Sequence, residues 1–212
     1  MLTTTYEMLQ KAYEGHYAVP AVNTQGGTYD IIRAVCTAAE ELRSPVILAH
    51  YVNTGAYSGH DWFYETAKWM AGKVSVPVAI HLDHGDSFER CMEMLKLGFT
   101  SIMFDGSALP VEENAAATEA VARVCRSFGV PLEAEIGELC RLDDRGNKIG
   151  ASNIADPDVV RQYLKLCHPD SLAIGIGNAH GFYNGPVDIR VEVLEECRKF
   201  TDIPFVDRKS VV

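Results

Sequence analysis

The feature that most constrains this chain is an alternation. Short β-branched runs recur along its 212 residues, separated by longer stretches of helical period. The strand-like runs are Tyr17–Asn23, Pro45–His50, Val76–Asp83, Ser101–Asp105, Pro131–Ile136 and Ser171–Ile176, and a seventh begins at Ile203-Pro204-Phe205-Val206. Between them, Thr28–Leu42 sets Ile31, Ile32, Val35 and Ala39 on one face, and Glu113–Phe128 does the same with Ala116, Ala120, Val121 and Val124. Phe88–Leu97 and Pro157–Cys167 read as further helices, the latter opened by Asp156 as N-cap with Pro157 in the first turn. Near-continuous apolar strands separated by helices pair in parallel, with both sheet faces covered. No G-x-G-x-x-G follows the first strand, so a dinucleotide-binding doubly wound sheet has little support. The expectation is a (β/α)8 TIM barrel in one domain over 1–206, truncated within the seventh βα unit, since such a barrel takes about 250 residues.

The strand ends carry the chemistry. Asn23 ends the first, His50 the second, and His81-Leu82-Asp83-His84-Gly85 the third. Asp105 ends the fourth, Glu133 and Glu135 lie on the fifth, and the sixth runs into Asn178-Ala179-His180-Gly181. A parallel barrel gathers its C-terminal strand ends at one mouth, where active sites lie. Histidines from two strands among carboxylates make a donor set for zinc or another divalent ion, with Asp83 as an acid/base beside His84. Each residue also has a plain structural reading. His50 is expected at the rim and His81 as support, while His16, His60 and His168 read as solvated. Asp105 and Glu135 could cap helices, and Gly175-Ile176-Gly177 is more simply a tight strand end than a phosphate cradle.

Composition excludes some functions. A net charge of −10 argues against nucleic acid or an anionic membrane as partner. No apolar run approaches the roughly 20 residues of a membrane span, and no signal peptide is visible at the start. Six cysteines without a C-x-x-C spacing point to a reduced, cytoplasmic chain.

At these residues the sequence closely resembles the class II, zinc-dependent ketose-bisphosphate aldolases. The matching stretches are His81-Leu82-Asp83-His84-Gly85, Ser101-Ile102-Met103-Phe104-Asp105-Gly106-Ser107, Leu132-Glu133-Ala134-Glu135-Ile136-Gly137 and Gly177-Asn178-Ala179-His180-Gly181, and the similarity runs from about Leu2 to Val206. The resemblance implies the barrel fold. It also implies reversible aldol cleavage of a fructose or tagatose 1,6-bisphosphate to dihydroxyacetone phosphate and glyceraldehyde 3-phosphate. By it, His84 and His180 match two catalytic zinc ligands, and Asp83 the acid/base at the C4 hydroxyl. Asp105 and Glu135 match donors of a second zinc position. Gly181 matches a backbone contact to the dihydroxyacetone phosphate moiety, and Asn23 a polar residue near the substrate. A monovalent cation, a homo-oligomer and a place in carbohydrate metabolism such as glycolysis go with the family.

The sequence departs from the family pattern in three places. A Gly-Gly-x-Glu-Asp element is replaced by Gly137-Glu138-Leu139-Cys140-Arg141-Leu142-Asp143-Asp144, leaving Asp143 as the candidate enediolate base. After Val206 the family continues with Leu-His-Gly-Gly-Ser, supplying a third zinc histidine, whereas this chain reads Asp207-Arg208-Lys209-Ser210-Val211-Val212. The eighth strand is not present. The 207–212 stretch reads as a non-native tail, because the codons GAT CGG AAG AGC GTC GTG encode it and resemble a sequencing-library adapter; a frameshift or natural truncation is the rival. Two alternatives stand beside the aldolase: a truncated, inactive aldolase-like fragment, and another metal-dependent barrel enzyme.

Overall fold

The fold was established from a computed structural model, which describes residues 1–24, 27–137, 140–142, 148–149, 154–180 and 188–207. They fall into two compact units, Met1–Asp105 with Ala120–Leu132, and Gly106–Glu119 with the chain from Glu133 onward.

The first unit begins with helix α1 (Thr5–Gly15), where the sequence reading assigned no element. Its Met8 and Ala12 are buried, Met8 packing with Ile47 and Ala79. Four strands follow in chain order, all parallel: β1 (Ala21–Asn23), β2 (Val46–Tyr51), β3 (Val78–Gly85) and β4 (Ser101–Phe104). Helices α2 (Tyr29–Leu42), α3 (Val52–Ser58), α4 (His60–Ala71) and α5 (Phe88–Leu97) connect them. The α5 boundaries coincide with those read from the sequence. Ser87 caps α5 by accepting from the Arg90 N–H at 3.3 Å, and Cys91, Met94 and Leu95 face the core. Burial of each such Met or Leu side chain contributes about 1.5–3 kcal/mol.

α3 and α4 were not read from the sequence. α4 carries Trp62, Phe63, Tyr64 and Trp69 around its circumference, which blurs the apolar stripe a helix normally shows. Only Phe63 and Tyr64 of these are buried; Trp62 and Trp69 are exposed. α6 (Val111–Phe128) follows β4, and Ile102 at the start of β4 donates its N–H to the Pro131 carbonyl at 3.1 Å.

In the second unit the parallel strands are β5 (Leu132–Ile136), β8 (Ser171–Ile174) and β10 (Phe205–Val206), with α7 (Pro157–Leu166) and α8 (Val191–Arg198). β5 pairs with β8 from Glu133↔Ser171 to Ile136↔Ile174. As expected, Asp156 caps α7, its carboxylate accepting from the Asp158 N–H at 2.9 Å ahead of Pro157. The core gathers Ala134, Ile136, Val160, Tyr163, Leu172 and Ile174, all buried. Three short strands form a separate sheet in the order β7 (Lys148–Ile149), β6 (Cys140–Leu142), β9 (Ala179–His180).

Candidate active site

The end of β3 departs from regular strand geometry. Leu82 pairs with Ile102 and Gly85 with Phe104, so Asp83 and His84 together oppose the single residue Met103. A bulge of this kind turns a side chain out of the alternating pattern. Here His84 takes the left-handed conformation, φ +54°, which a non-glycine residue adopts at a cost. Its backbone N–H leaves the ladder and donates to the Met103 thioether sulfur at 3.4 Å. Gly85 is required next to it, because a Cβ there would overlap the Met103 carbonyl oxygen.

The bulge places a carboxylate and an imidazole side by side. The buried Asp83 receives a hydrogen bond from Asn23 Nδ2 at Oδ2, 3.1 Å away. His84 Nδ1 lies 2.6 Å from Asp105 Oδ2, and Asp105 is itself fixed by donating its N–H to the Gly85 carbonyl at 2.9 Å. A carboxylate on Nδ1 selects the Nδ1–H tautomer, in which Nε2 carries the lone pair that a cation takes up. The donor types and the carboxylate anchor therefore fit a divalent metal at His84. Tyr51, whose Cα is the register partner of Asp83, sets its ring edge-on to the His84 imidazole at 5.9 Å. Asn53 Nδ2 donates to the Tyr51 hydroxyl at 2.8 Å.

The expected structural role of His81 agrees with its surroundings: it is buried, with Nδ1 2.8 Å from Ser101 Oγ. His50 differs from a rim residue. It is 1% exposed, stacked on Phe63 with centroids 4.0 Å apart, and its Nε2 lies 2.8 Å from His60 Nδ1. His60 is correspondingly half-buried rather than solvated, and Arg90 donates to its Nε2 at 3.1 Å. The guanidinium is always a donor. Hence His60 carries its proton on Nδ1 and gives it to His50 Nε2, leaving His50 protonated on Nδ1. Burial first, then the neighbouring His60 and Arg90, push the His50 pKa down to about 4, with Asp83 opposing. Burial and Arg90 lower His60 as well. His16 and His168 are exposed, as expected.

In the second unit, Glu133 and Glu135 lie buried on β5. His180 ends β9, where it pairs with Arg141 of β6. Ahead of it the buried Asn178 accepts the Ile176 N–H at Oδ1 and donates to Asp207 Oδ1 at 2.8 Å. Gly177 has φ +94°, and a Cβ there would overlap the Asp188 carbonyl, as a tight strand end demands. Gly181, Asp143 and 208–212 lie outside the described residues. Sequence reasoning passed over Tyr51, Arg90 and Met103. Alternation from Asn23 and Asp83 could have flagged Tyr51; nothing in the spacing marks the other two.

A carboxylate beside an anchored imidazole, on the ends of parallel βα strands, is an arrangement that can move a proton next to a bound cation. The family follows from the comparison with known proteins: the model of the class-II fructose-bisphosphate aldolases matches residues 3–207, and the chain belongs to that family of aldolases. The fructose-bisphosphate aldolase of Mycoplasma pneumoniae is 38% identical over 210 residues, 97% of this chain and 71% of that protein. The 6-phospho-5-dehydro-2-deoxy-D-gluconate aldolase of Bacillus licheniformis is 37% identical over 206 residues, 94% of this chain and 68% of that one. Among solved structures, the YdjI aldolase of Escherichia coli K12 superposes with a TM-score of 0.83 at 30% identity, covering 99% of this chain and 74% of its own. The fructose-bisphosphate aldolase of Campylobacter jejuni gives 0.69 at 26% identity, over 97% and 69%. The barrel fold class expected from the alternation is thus that of these aldolases, over the span the chain covers.

Proposed function

We propose that this aldolase reversibly cleaves a ketose 1,6-bisphosphate, fructose or tagatose, to dihydroxyacetone phosphate and glyceraldehyde 3-phosphate with the help of zinc. The observation that carries the reading is the pairing of Asp83, held by Asn23, with His84, anchored by Asp105, on one bulged strand end. In cleavage, Asp83 takes the proton of the C4 hydroxyl as the C3–C4 bond breaks; in condensation it returns that proton to the aldehyde oxygen. Asn23 orients the Asp83 carboxylate, and burial keeps competing water from it. His84 and His180 are assigned as zinc ligands, and Asp105 and Glu135 as donors to a second metal position. Gly181 is assigned to the phosphate-bearing triose. Bound zinc would supply Lewis-acid polarisation of the ketose carbonyl.

A second reading of the substrate has its own support. A relative acting on a phosphorylated deoxy keto-acid is as similar to this chain as one acting on a fructose bisphosphate, at 37% against 38% identity. Beyond the substrate, the reading includes a homo-oligomer, a monovalent cation, and a cytoplasmic place in carbohydrate metabolism. Among the described residues no helix is long and apolar enough to cross a membrane.

The test is triose phosphate release, measured with a coupled dehydrogenase on each of the three phosphosugars, before and after EDTA. Release from fructose or tagatose bisphosphate that stops with EDTA and returns with zinc is expected. Asp83→Ala should leave zinc bound and lower kcat by about 10²–10⁴-fold. Turnover insensitive to EDTA, or an unaffected Asp83→Ala variant, would overturn the reading.

A further inference from the structure

Three polar side chains lie inside the apolar core of the second unit. Asn114 and Thr118 on α6 and Tyr163 on α7 are 2%, 0% and 0% exposed. Thr118 Oγ1 and the Tyr163 hydroxyl are 2.7 Å apart, and they stand 3.2 Å and 3.3 Å from Asn114 Oδ1. Each hydroxyl has one proton. Whichever donates to the other, the second hydroxyl is left to donate to Asn114. Both circuits make Asn114 Oδ1 an acceptor, so they fix the amide one way round and leave Nδ2 as the outward donor. That donor meets the main-chain carbonyl of Glu135 at 2.9 Å.

The position of this carbonyl explains why a side chain reaches it. Alternate carbonyls along a strand point to opposite neighbours. The Ile136 carbonyl accepts from Gly175 on the β8 side at 3.2 Å, so that of Glu135 points away from β8. One residue further, Gly137 turns the chain with φ +79°. The end of β5 is therefore held from one side by β8 and from the other by Asn114. Three apolar side chains would fill the same volume without burying polar groups; here the buried amide of Asn114 goes instead to the carbonyl of Glu135.

We propose that Asn114, locked by Thr118 and Tyr163, is a positioning residue for Glu135: it fixes the peptide plane between Glu135 and Ile136 and so the direction in which the carboxylate leaves the strand. The proposal rests on the reading of Glu135 as a metal donor, and it makes the network a determinant of metal affinity rather than of the chemical step. The test is zinc affinity of the purified full chain, by competition with a chromophoric chelator, with melting of the zinc-free protein measured in parallel. Glu135→Gln is the reference and should weaken one zinc position. The double variant Thr118→Val, Tyr163→Phe conserves volume and removes both locks, and Asn114→Leu removes the donor. Each should weaken the same position by on the order of tenfold or more. Weakened melting with zinc affinity unchanged in both variants, while Glu135→Gln weakens it, would overturn the positioning role and leave Glu135 as donor. Zinc affinity unchanged in Glu135→Gln would overturn the donor reading, and the proposal with it.

Discussion

His84 Nδ1 and Asp105 Oδ2 stand 2.6 Å apart, joining the bulged end of β3 to the residue that follows β4. The pair is partly shielded, its side chains 16% and 21% exposed, so the carboxylate charge acts on the imidazole through little water. Asp105→Asn keeps an acceptor oxygen but removes that charge. Zinc affinity is expected to fall by about 10–100-fold while circular dichroism stays native. An unchanged affinity would show that the 2.6 Å pair neither anchors a ligand nor supplies one.

The Asn23–Asp83 bond leads to a different signature. Asn23 is exposed, so its side chain adds little to the core, yet its amide donates to the buried Asp83 at 3.1 Å. The bond orients the carboxylate, and a misplaced catalytic group can cost on the order of 100-fold in rate. Asn23→Ala should therefore lower kcat/KM by roughly 10–100-fold with a melting temperature close to native. A loss of melting temperature in proportion to the loss of activity would make the bond structural instead.

Much of this frame was legible in the sequence, because apolar strands with polar ends report both pairing and mouth. Asp83, His84 and Asp105 were named from position and type alone. The local deviations were not legible. Period-two alternation puts Asp83 and His84 on opposite faces, and only the opposing length of β4 reveals that a bulge brings His84 round to Asp105. His60 reads as solvated in the sequence because its burial comes from partners distant along the chain: Arg90 is 30 residues away. Asn114 and Thr118 read as ordinary helix residues, since a bond to a strand carbonyl 21 residues on leaves no periodic trace.

The His50–His60 pair sets an acid limit. His50 has a folded pKa of about 4 against roughly 6.5 in an unfolded chain, and His60 is lowered as well. The unfolded chain therefore binds these protons first as pH falls. Their contribution is fully present above about pH 6.5 and is lost progressively toward pH 4. For the nearly inaccessible His50 the loss is on the order of 3 kcal/mol. Urea midpoints across that window should decline, and the double variant His50→Leu, His60→Leu should decline less steeply. Equal slopes would place the acid sensitivity in other groups.

Gly55 and Gly129 separate two reasons for a glycine. Gly55 lies within helix α3, where alanine ordinarily gains about 0.5–1 kcal/mol over glycine. Here a Cβ would overlap the ring of His60 and approach His50 Nε2 to 2.8 Å, so the sign should reverse. Gly55→Ala is expected to cost about 1–3 kcal/mol, as overpacking does. Gly129 has φ +67° and nothing within 4 Å of an added Cβ, so Gly129→Ala should cost only the strain of the left-handed backbone, about 1–2 kcal/mol. Shrinking the imidazole distinguishes the two. Adding His60→Ala to Gly55→Ala should recover part of the first loss, because the overlapping atoms are gone, whereas adding it to Gly129→Ala should simply sum. α3 starts directly after Tyr51, the residue against His84, so Gly55→Ala should also weaken zinc binding, and Gly129→Ala should not. Chemical denaturation of these four variants and of His60→Ala alone, with zinc affinity measured on the folded ones, decides it; additive losses at Gly55 and His60 would show that the two do not touch.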